Sequence, residues 1–136
     1  MTQKDKELLL RDLCTRLPYK VIVEIISYGQ EDLRPWFGEL SLKDLECFML
    51  DVAYKSMKPY LRPMSSMTED EKDFIRNKYF YEDWDSWNDL LYYHYNLISV
   101  KEIPEFMEWI YTHHFDFLNL IEKGLALEAS TNMYNN

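Results

Sequence analysis

The chain has 136 residues, of which 47% are hydrophobic and 16% aromatic, enough to bury the core of one domain spanning 1–136. Its formal net charge of −9 argues against an electrostatic grip on nucleic-acid backbones or anionic membranes, since both need clustered Lys and Arg. With only 3 glycines and 5 prolines, the composition also excludes a linker or a low-complexity chain.

The N-terminal residues and the cysteines predict a cytoplasmic protein. The start of the chain is too polar for a secretory signal peptide, and no apolar run approaches the roughly 20 residues of a membrane span. Cys14 and Cys47 form no CxxC pair, so we expect reduced thiols in the core rather than a disulfide or a metal site. No cofactor is expected.

The first predicted element is a helix over 3–16. Thr2 followed by Asp5 is typical of a helix start, because the hydroxyl can accept an amide hydrogen bond and the acid suits the first turn. Apolar residues then recur at helical spacing until Pro18, which cannot continue a helix.

Two strands are predicted next. Residues 21–26 are rich in β-branched side chains and follow a proline, which makes them the clearest strand in the chain. Residues 29–32 form a turn, and 36–40 can form a short second strand.

Residues 41–57 are ambiguous. Ser41 and Asp44 can cap a helix whose apolar period extends to Val52, whereas 47–54 can equally be a buried strand, and periodicity does not decide for a short apolar run. We favour a short helix over 41–46 and a strand over 47–54.

The remaining elements are predicted to be helical. Thr68 and Glu71 form a capping box, which predicts a helix over 69–79. Further helices are expected after Asp85, over 104–114 and from Asp116 to Gly124, followed by a frayed tail from residue 130. The fold class is therefore α+β, with a small antiparallel sheet in the N-terminal half packed with several helices and a helical C-terminal half.

Three segments carry a resemblance to known proteins. They are LCTRLPY (13–19), KPYLRPMSSMTEDE (58–71) and HHFD (113–116) with LIEKGLALEA (120–129). In this order and spacing the chain resembles a group of small uncharacterised proteins encoded by phages and prophages of gut bacteria. The relatives have an aromatic, a basic residue and a glycine where this chain has Phe117, Leu118 and Asn119, so an anion contact from the basic position does not carry over.

The resemblance implies a phage or prophage accessory protein in the host cytoplasm. Such genes often encode modulators of host processes, including antagonists of antiviral defence, although no reaction is assigned to the group. Because the sequence contains no serine elbow, phosphate-binding glycine loop or Cys/His pairing, we expect a non-enzymatic protein that acts by binding a host or defence-system protein.

The predicted partner surface is acidic and aromatic. Residues 69–89 hold eight acids and three bases, interleaved with aromatic rings that can supply contact area while carboxylates steer a basic partner. The alternative is that most of these rings face the core. The candidate partner residues are Tyr79, Tyr81, Asp83, Trp84, Asp85 and Trp87.

A second hypothesis is sequestration of a small phosphorylated ligand, such as a signalling or cyclic nucleotide, with a homo-oligomer interface as one possible setting. Its candidate residues are Lys58, Tyr60, Arg62, Ser65 and Ser66, in a proline-stiffened loop before a helix N-terminus. Tyr60 could stack on a base. The alternative is a purely structural connector, and a weaker option is an enzyme acting on such a nucleotide.

Two further clusters of side chains could serve metal binding or acid–base chemistry: His113 and His114 with Asp116, and a group of carboxylates over 82–89. His113 and His114 are adjacent, so on a helix they point about 100° apart and do not face one ion together. His94 would join them only through the tertiary fold. The carboxylates of Glu82, Asp83, Asp85 and Asp89 are explained by a solvated acidic turn. We therefore predict no metal site and no catalytic residue.

Overall fold

The computed structural model describes residues 1–30, 34–79 and 102–134. Within these ranges the helices are α1 (Gln3–Arg16), α2 (Leu42–Met49), α3 (Glu69–Tyr79) and α4 (Ile103–Thr112), and the strands are β1 (Ile22–Ser27), β2 (Trp36–Glu39), β3 (Tyr54–Leu61) and β4 (Leu127–Glu128). The predicted α+β class is confirmed. None of the helices in this part of the chain is long and apolar enough to cross a bilayer.

Three helices begin at capping boxes, as the sequence predicts. The Thr2 hydroxyl accepts the Asp5 amide at 3.0 Å, and the Asp5 carboxylate accepts the Thr2 amide. Ser41 and Asp44 make the same pair of bonds at the start of α2. α3 begins in the same way after Thr68. Each box satisfies amides that the first helical turn leaves without an intrahelical partner.

The sheet has the strand order β2-β1-β3-β4. β1 pairs antiparallel with β2 and with β3, so that Val23 lies opposite Gly38 on one side and Pro59 on the other. β4 pairs parallel with β3, with Tyr60 opposite Leu127. The sheet is therefore mixed and includes a strand from the C-terminal half, which corrects the prediction of an antiparallel sheet confined to the N-terminal half.

The predicted strand over 47–54 is wrong. α2 continues to Met49 and buries Leu45 and Phe48, and β3 starts only at Tyr54. The Tyr54 hydroxyl donates to the buried Asp44 carboxylate at 2.8 Å, which fastens the start of β3 to α2. Residues 58–61, predicted as loop, belong to β3, because a proline favours extended backbone before it and suits a strand as well as a loop.

The apolar side chains form two clusters. The first lies between the sheet and the first two helices, and its fully buried members are Leu9, Leu13, Val21, Val23, Met57, Leu61 and Leu120. The second joins α3 to α4 and contains Met67, Ile75, Tyr79, Phe106, Ile110 and Phe115. Cys14 is exposed and Cys47 half-buried, both as free thiols, so the prediction of core thiols fails for Cys14.

The helix predicted from Asp116 to Gly124 is replaced by turns. Asn119 and Gly124 adopt left-handed backbone conformations, with φ of 61° and 76°, and these interrupt a right-handed helix. Asp116 still acts as a cap, since its buried carboxylate accepts the amides of Leu120 at 2.7 Å and Ile121 at 2.9 Å. These turns lead the chain back to the sheet at β4.

Candidate functional site

A polar cleft of about 570 Å³ lies where the end of β3, the start of α3, the end of α4 and the segment after β4 meet. Hydroxyl groups line much of it, from Ser66, Thr68, Thr112, Ser130, Thr131 and Tyr134. Its other polar side chains are Arg62, Glu71, His113, His114 and Glu128. Small-molecule sites are typically roughly 300–1,000 Å³, so the volume suits a small ligand.

Arg62 is held firmly on the wall of the polar cleft. Its guanidinium makes a two-bond fork with the Glu71 carboxylate, at 2.9 Å from Nη1 and 2.6 Å from Nη2, and lies 4.2 Å over the Phe115 ring. The side chains of Arg62 and Glu71 are only 23% and 17% exposed. Such a planar fork matches two oxygens of a carboxylate or a phosphate.

Glu71 is fixed independently of Arg62. One of its carboxylate oxygens accepts the Thr68 amide at 2.9 Å, as part of the cap of α3. Burial acts to raise the pKa of Glu71, but the hydrogen bonds from Arg62 and Thr68 outweigh it and hold that pKa below its ordinary value. The carboxylate is therefore charged at neutral pH and stays beside the polar cleft.

Backbone hydrogen bonds join the segment 58–71 to the segment 113–116. The Arg62 amide donates to the His114 carbonyl at 2.8 Å, and the Arg62 carbonyl accepts the Asp116 amide at 2.8 Å. Arg62 thus forms a parallel bridge with Phe115. This bridge places the two histidines beside the arginine.

His114 is strained, buried and neutral. Its φ is 63°, a region in which non-glycine residues are uncommon, and its side chain is 9% exposed. Burial lowers its pKa to about 4, helped by the positive charges of Arg16 and Arg62. Among the described residues, its Nδ1 atom has no hydrogen-bond partner. His113 differs, since its Nδ1 lies 2.8 Å from the Trp109 carbonyl oxygen.

Arg16 supports this region from behind. It is fully buried, with Nε 2.6 Å from the Asp12 carboxylate, and its Nη2 donates to the Phe115 carbonyl at 2.7 Å. Its guanidinium also lies 4.6 Å from the centre of the Tyr111 ring. Burial raises the pKa of Asp12, although Arg16 opposes that rise. The three segments that carry the resemblance therefore meet around Phe115.

Tyr134 closes one side of the polar cleft, so the tail predicted to fray is fastened as far as residue 134. Its hydroxyl donates to the Tyr60 carbonyl at 2.7 Å and accepts the Ile22 amide at 2.9 Å. Its ring stacks on His114 with 3.6 Å between the centroids. Burial raises the pKa of Tyr134 to about 12, so the phenol stays protonated.

The five predicted ligand residues do not form one site. Arg62 and Ser66 line the polar cleft, whereas Ser65 lines a second cleft of about 310 Å³. Lys58 and Tyr60 lie on β3 rather than in a loop, on the sheet face opposite to the core residues. Of the five residues, the structure thus brings Arg62 and Ser66 together and places Lys58, Tyr60 and Ser65 elsewhere.

The predicted partner surface is mostly beyond the described ranges. Tyr79 is 1% exposed and packs edge-on against Phe106 at 5.4 Å, so its ring belongs to the core. Its other predicted members, Tyr81, Asp83, Trp84, Asp85 and Trp87, lie outside the described residues, as do Glu82, Asp89 and His94. That hypothesis stays a prediction.

Sequence reasoning missed several residues of the polar cleft. The sequence suggests a metal site or a general base for His113 and His114 and gives no sign that they line a cleft with Arg62. The described residues contain no group of three or more His, Cys, Asp or Glu arranged to hold a metal ion. Tyr134 was assigned to a frayed tail, although an aromatic residue in a polar tail is a signal that it packs. Comparisons with protein families, curated proteins and solved structures gave no match for this chain.

Proposed function

We propose that this chain is a non-enzymatic accessory protein of a phage or prophage, which acts by binding in the cytoplasm of its bacterial host. Its polar cleft would sequester a small phosphorylated ligand, such as a signalling nucleotide, and so modulate a host or defence pathway that depends on that ligand. The observation that carries this proposal is the stacked, two-bond fork of Arg62 on the wall of the polar cleft.

The fork suits a phosphate because of its geometry. Two parallel N–H groups of Arg62 already hold two oxygens of Glu71, and a phosphate presents oxygens at a comparable spacing. Stacking on Phe115 fixes the plane of the guanidinium, so little side-chain freedom remains to be lost on binding. The fork uses two of the five N–H groups of the guanidinium, so a phosphate can accept from the remaining ones without rearranging Arg62.

The rest of the wall suits a sugar or a base better than an apolar molecule. Hydroxyl side chains can donate and accept, so they match the hydroxyls of a ribose and the polar edge of a base. The imidazole of His114 also borders the cleft and is neutral, although its Nδ1 atom is buried. A ligand that combines a phosphate with polar ring atoms fits this set of groups.

The state of His114 favours binding over acid–base catalysis. A general base works best when its pKa lies near the working pH. Burial holds the pKa of His114 at about 4, which makes it a weak base at neutral pH. Among the described residues, the carboxylates on the wall are those of Glu71, whose pKa is lowered, and Glu128, which is exposed.

A thermal-shift screen with cyclic nucleotides, nucleoside monophosphates and inorganic phosphate tests the proposal. A ligand at 100 times its Kd adds about 2.7 kcal/mol to the free energy of unfolding. Arg62→Gln should abolish the shift, whereas Lys58→Gln, which removes a cation outside the polar cleft, should retain it. Mass spectrometry of the ligand released on heating should find it intact. A chemically altered ligand would refute sequestration, and no shift with any compound would refute the ligand site.

A further inference from the structure

The charges on the polar cleft point to a particular class of phosphorylated ligand. Among the described residues that line it are one guanidinium, on Arg62, and two carboxylates, on Glu71 and Glu128, while the buried imidazole of His114 is neutral. Because the carboxylates outnumber the cation, a ligand with several negative charges meets net repulsion. A phosphodiester carries one charge per phosphorus and no more, so it meets the least.

Glu71 has a second anchor besides Arg62. The bond from the Thr68 amide to Glu71, at 2.9 Å, is part of the cap of α3 and does not involve Arg62. Held by this bond, the carboxylate lies beside any phosphate that binds the other N–H groups of Arg62, and its lowered pKa keeps it charged at neutral pH. The repulsion is thus built into the site rather than relieved by movement of the side chain.

Resting on the function proposed above, we infer that Glu71 and Glu128 make the polar cleft selective for singly charged phosphodiesters, such as cyclic mononucleotides, over nucleotides with terminal or multiple phosphates. Arg62 attracts one phosphate, and the carboxylates of Glu71 and Glu128 limit how much negative charge the ligand can carry. Glu71 is therefore a specificity residue as well as a structural cap.

The test measures Kd by isothermal titration calorimetry for a cyclic mononucleotide, the nucleoside monophosphate with the same base, and ATP. Glu71→Gln removes the charge but keeps a side chain that completes a capping box. Glu128→Gln is the second variant, on an exposed position that carries little of the fold. Glu69→Gln is the matched control, because Glu69 is an 82% exposed acid in the same helical turn and does not line the polar cleft.

The expected result is that the natural chain binds a cyclic nucleotide and discriminates against ATP. Each cleft variant should then strengthen ATP binding by about tenfold or more, and the Glu69→Gln control should not. Equal affinity for both classes, or an unchanged ratio in both cleft variants, would overturn the selectivity and leave the proposed function standing. No binding of any probe to the natural chain or its variants would overturn both.

Discussion

Replacing Arg16 by methionine should strongly destabilise the protein. Arg16 is fully buried, and its guanidinium contacts the Asp12 carboxylate and the Phe115 carbonyl. Without Arg16 the carboxylate of Asp12, itself 1% exposed, is left buried and uncompensated. Breaking a buried pair on one side typically costs about 3–5 kcal/mol. Since domains have stabilities of only about 5–15 kcal/mol, the loss is easily measured by urea unfolding.

The double variant Asp12→Leu/Arg16→Met is the matched control. It removes the buried Asp12 carboxylate together with its partner Arg16. It should therefore regain much of the free energy of unfolding that Arg16→Met loses, and it should fold even where the single variant does not. The Phe115 carbonyl still lacks its donor, which leaves a deficit of about 1–3 kcal/mol. A single variant within about 1 kcal/mol of the natural chain, or a double variant less stable than the single, would refute this account of the pair.

Acidification gives an independent check on the same pair. Burial raises the pKa of Asp12, and removing Arg16 takes away the interaction that opposes the rise. In the folded Arg16→Met variant, Asp12 therefore takes up a proton at a higher pH than in the unfolded chain, where its pKa has the ordinary value of about 4. The free energy of unfolding of the variant therefore increases as the pH falls toward about 4. The difference in this free energy between the variant and the natural chain should become smaller. A gap that widens on acidification would contradict the burial of an uncompensated carboxylate.

Three smaller predictions concern the polar cleft. Tyr134→Phe should lower the free energy of unfolding in urea by about 1–3 kcal/mol, because two backbone groups lose their partner. The natural chain should also lose stability between about pH 10 and about pH 12, because in this range only the unfolded chain ionises the Tyr134 phenol. Lowering the pH from 6.5 to about 4 should destabilise the fold, because His114 is protonated at a higher pH in the unfolded chain than in the folded one. His114→Asn should lose this pH dependence, and asparagine tolerates the positive φ at this position. Thr68→Ala should cost about 1 kcal/mol by removing the α3 cap, as a melting curve would detect.

The sequence predicts the starts of helices well because capping is local. The Thr2, Ser41 and Thr68 boxes each use a partner three residues away, so no knowledge of the fold is needed. The position of β3 could not be predicted in this way. The apolar run over 47–54 fits a helix and a buried strand equally well. The choice depends on tertiary pairing, since β3 forms alongside β1 with Met57 opposite Ile25. β4 has only two residues, too few for a periodic signal.

The polar cleft depends on contacts between distant parts of the chain. Tyr134 bonds to groups 112 and 74 residues away, at Ile22 and Tyr60, and nothing in the sequence around it specifies those partners. Arg62 was singled out from its position between two prolines, but its pairing with Glu71 requires β3 and α3 to meet at a defined angle. The residues that line the polar cleft could thus be predicted in part, and their arrangement could not.

Phe115 explains why these distant segments form one site. Its carbonyl accepts from Arg16, its ring lies beneath Arg62, and the residues on either side of it bond to the Arg62 backbone. Contacts on both sides of Phe115 therefore hold His114 in its left-handed conformation, as is typical of strained residues kept by their surroundings. Arg62 contributes to this framework through its backbone and to the polar cleft through its side chain. Arg62→Gln should consequently remove ligand binding while preserving the backbone bridge, whereas Arg16→Met should loosen the bridge itself, and comparing the two separates recognition from folding.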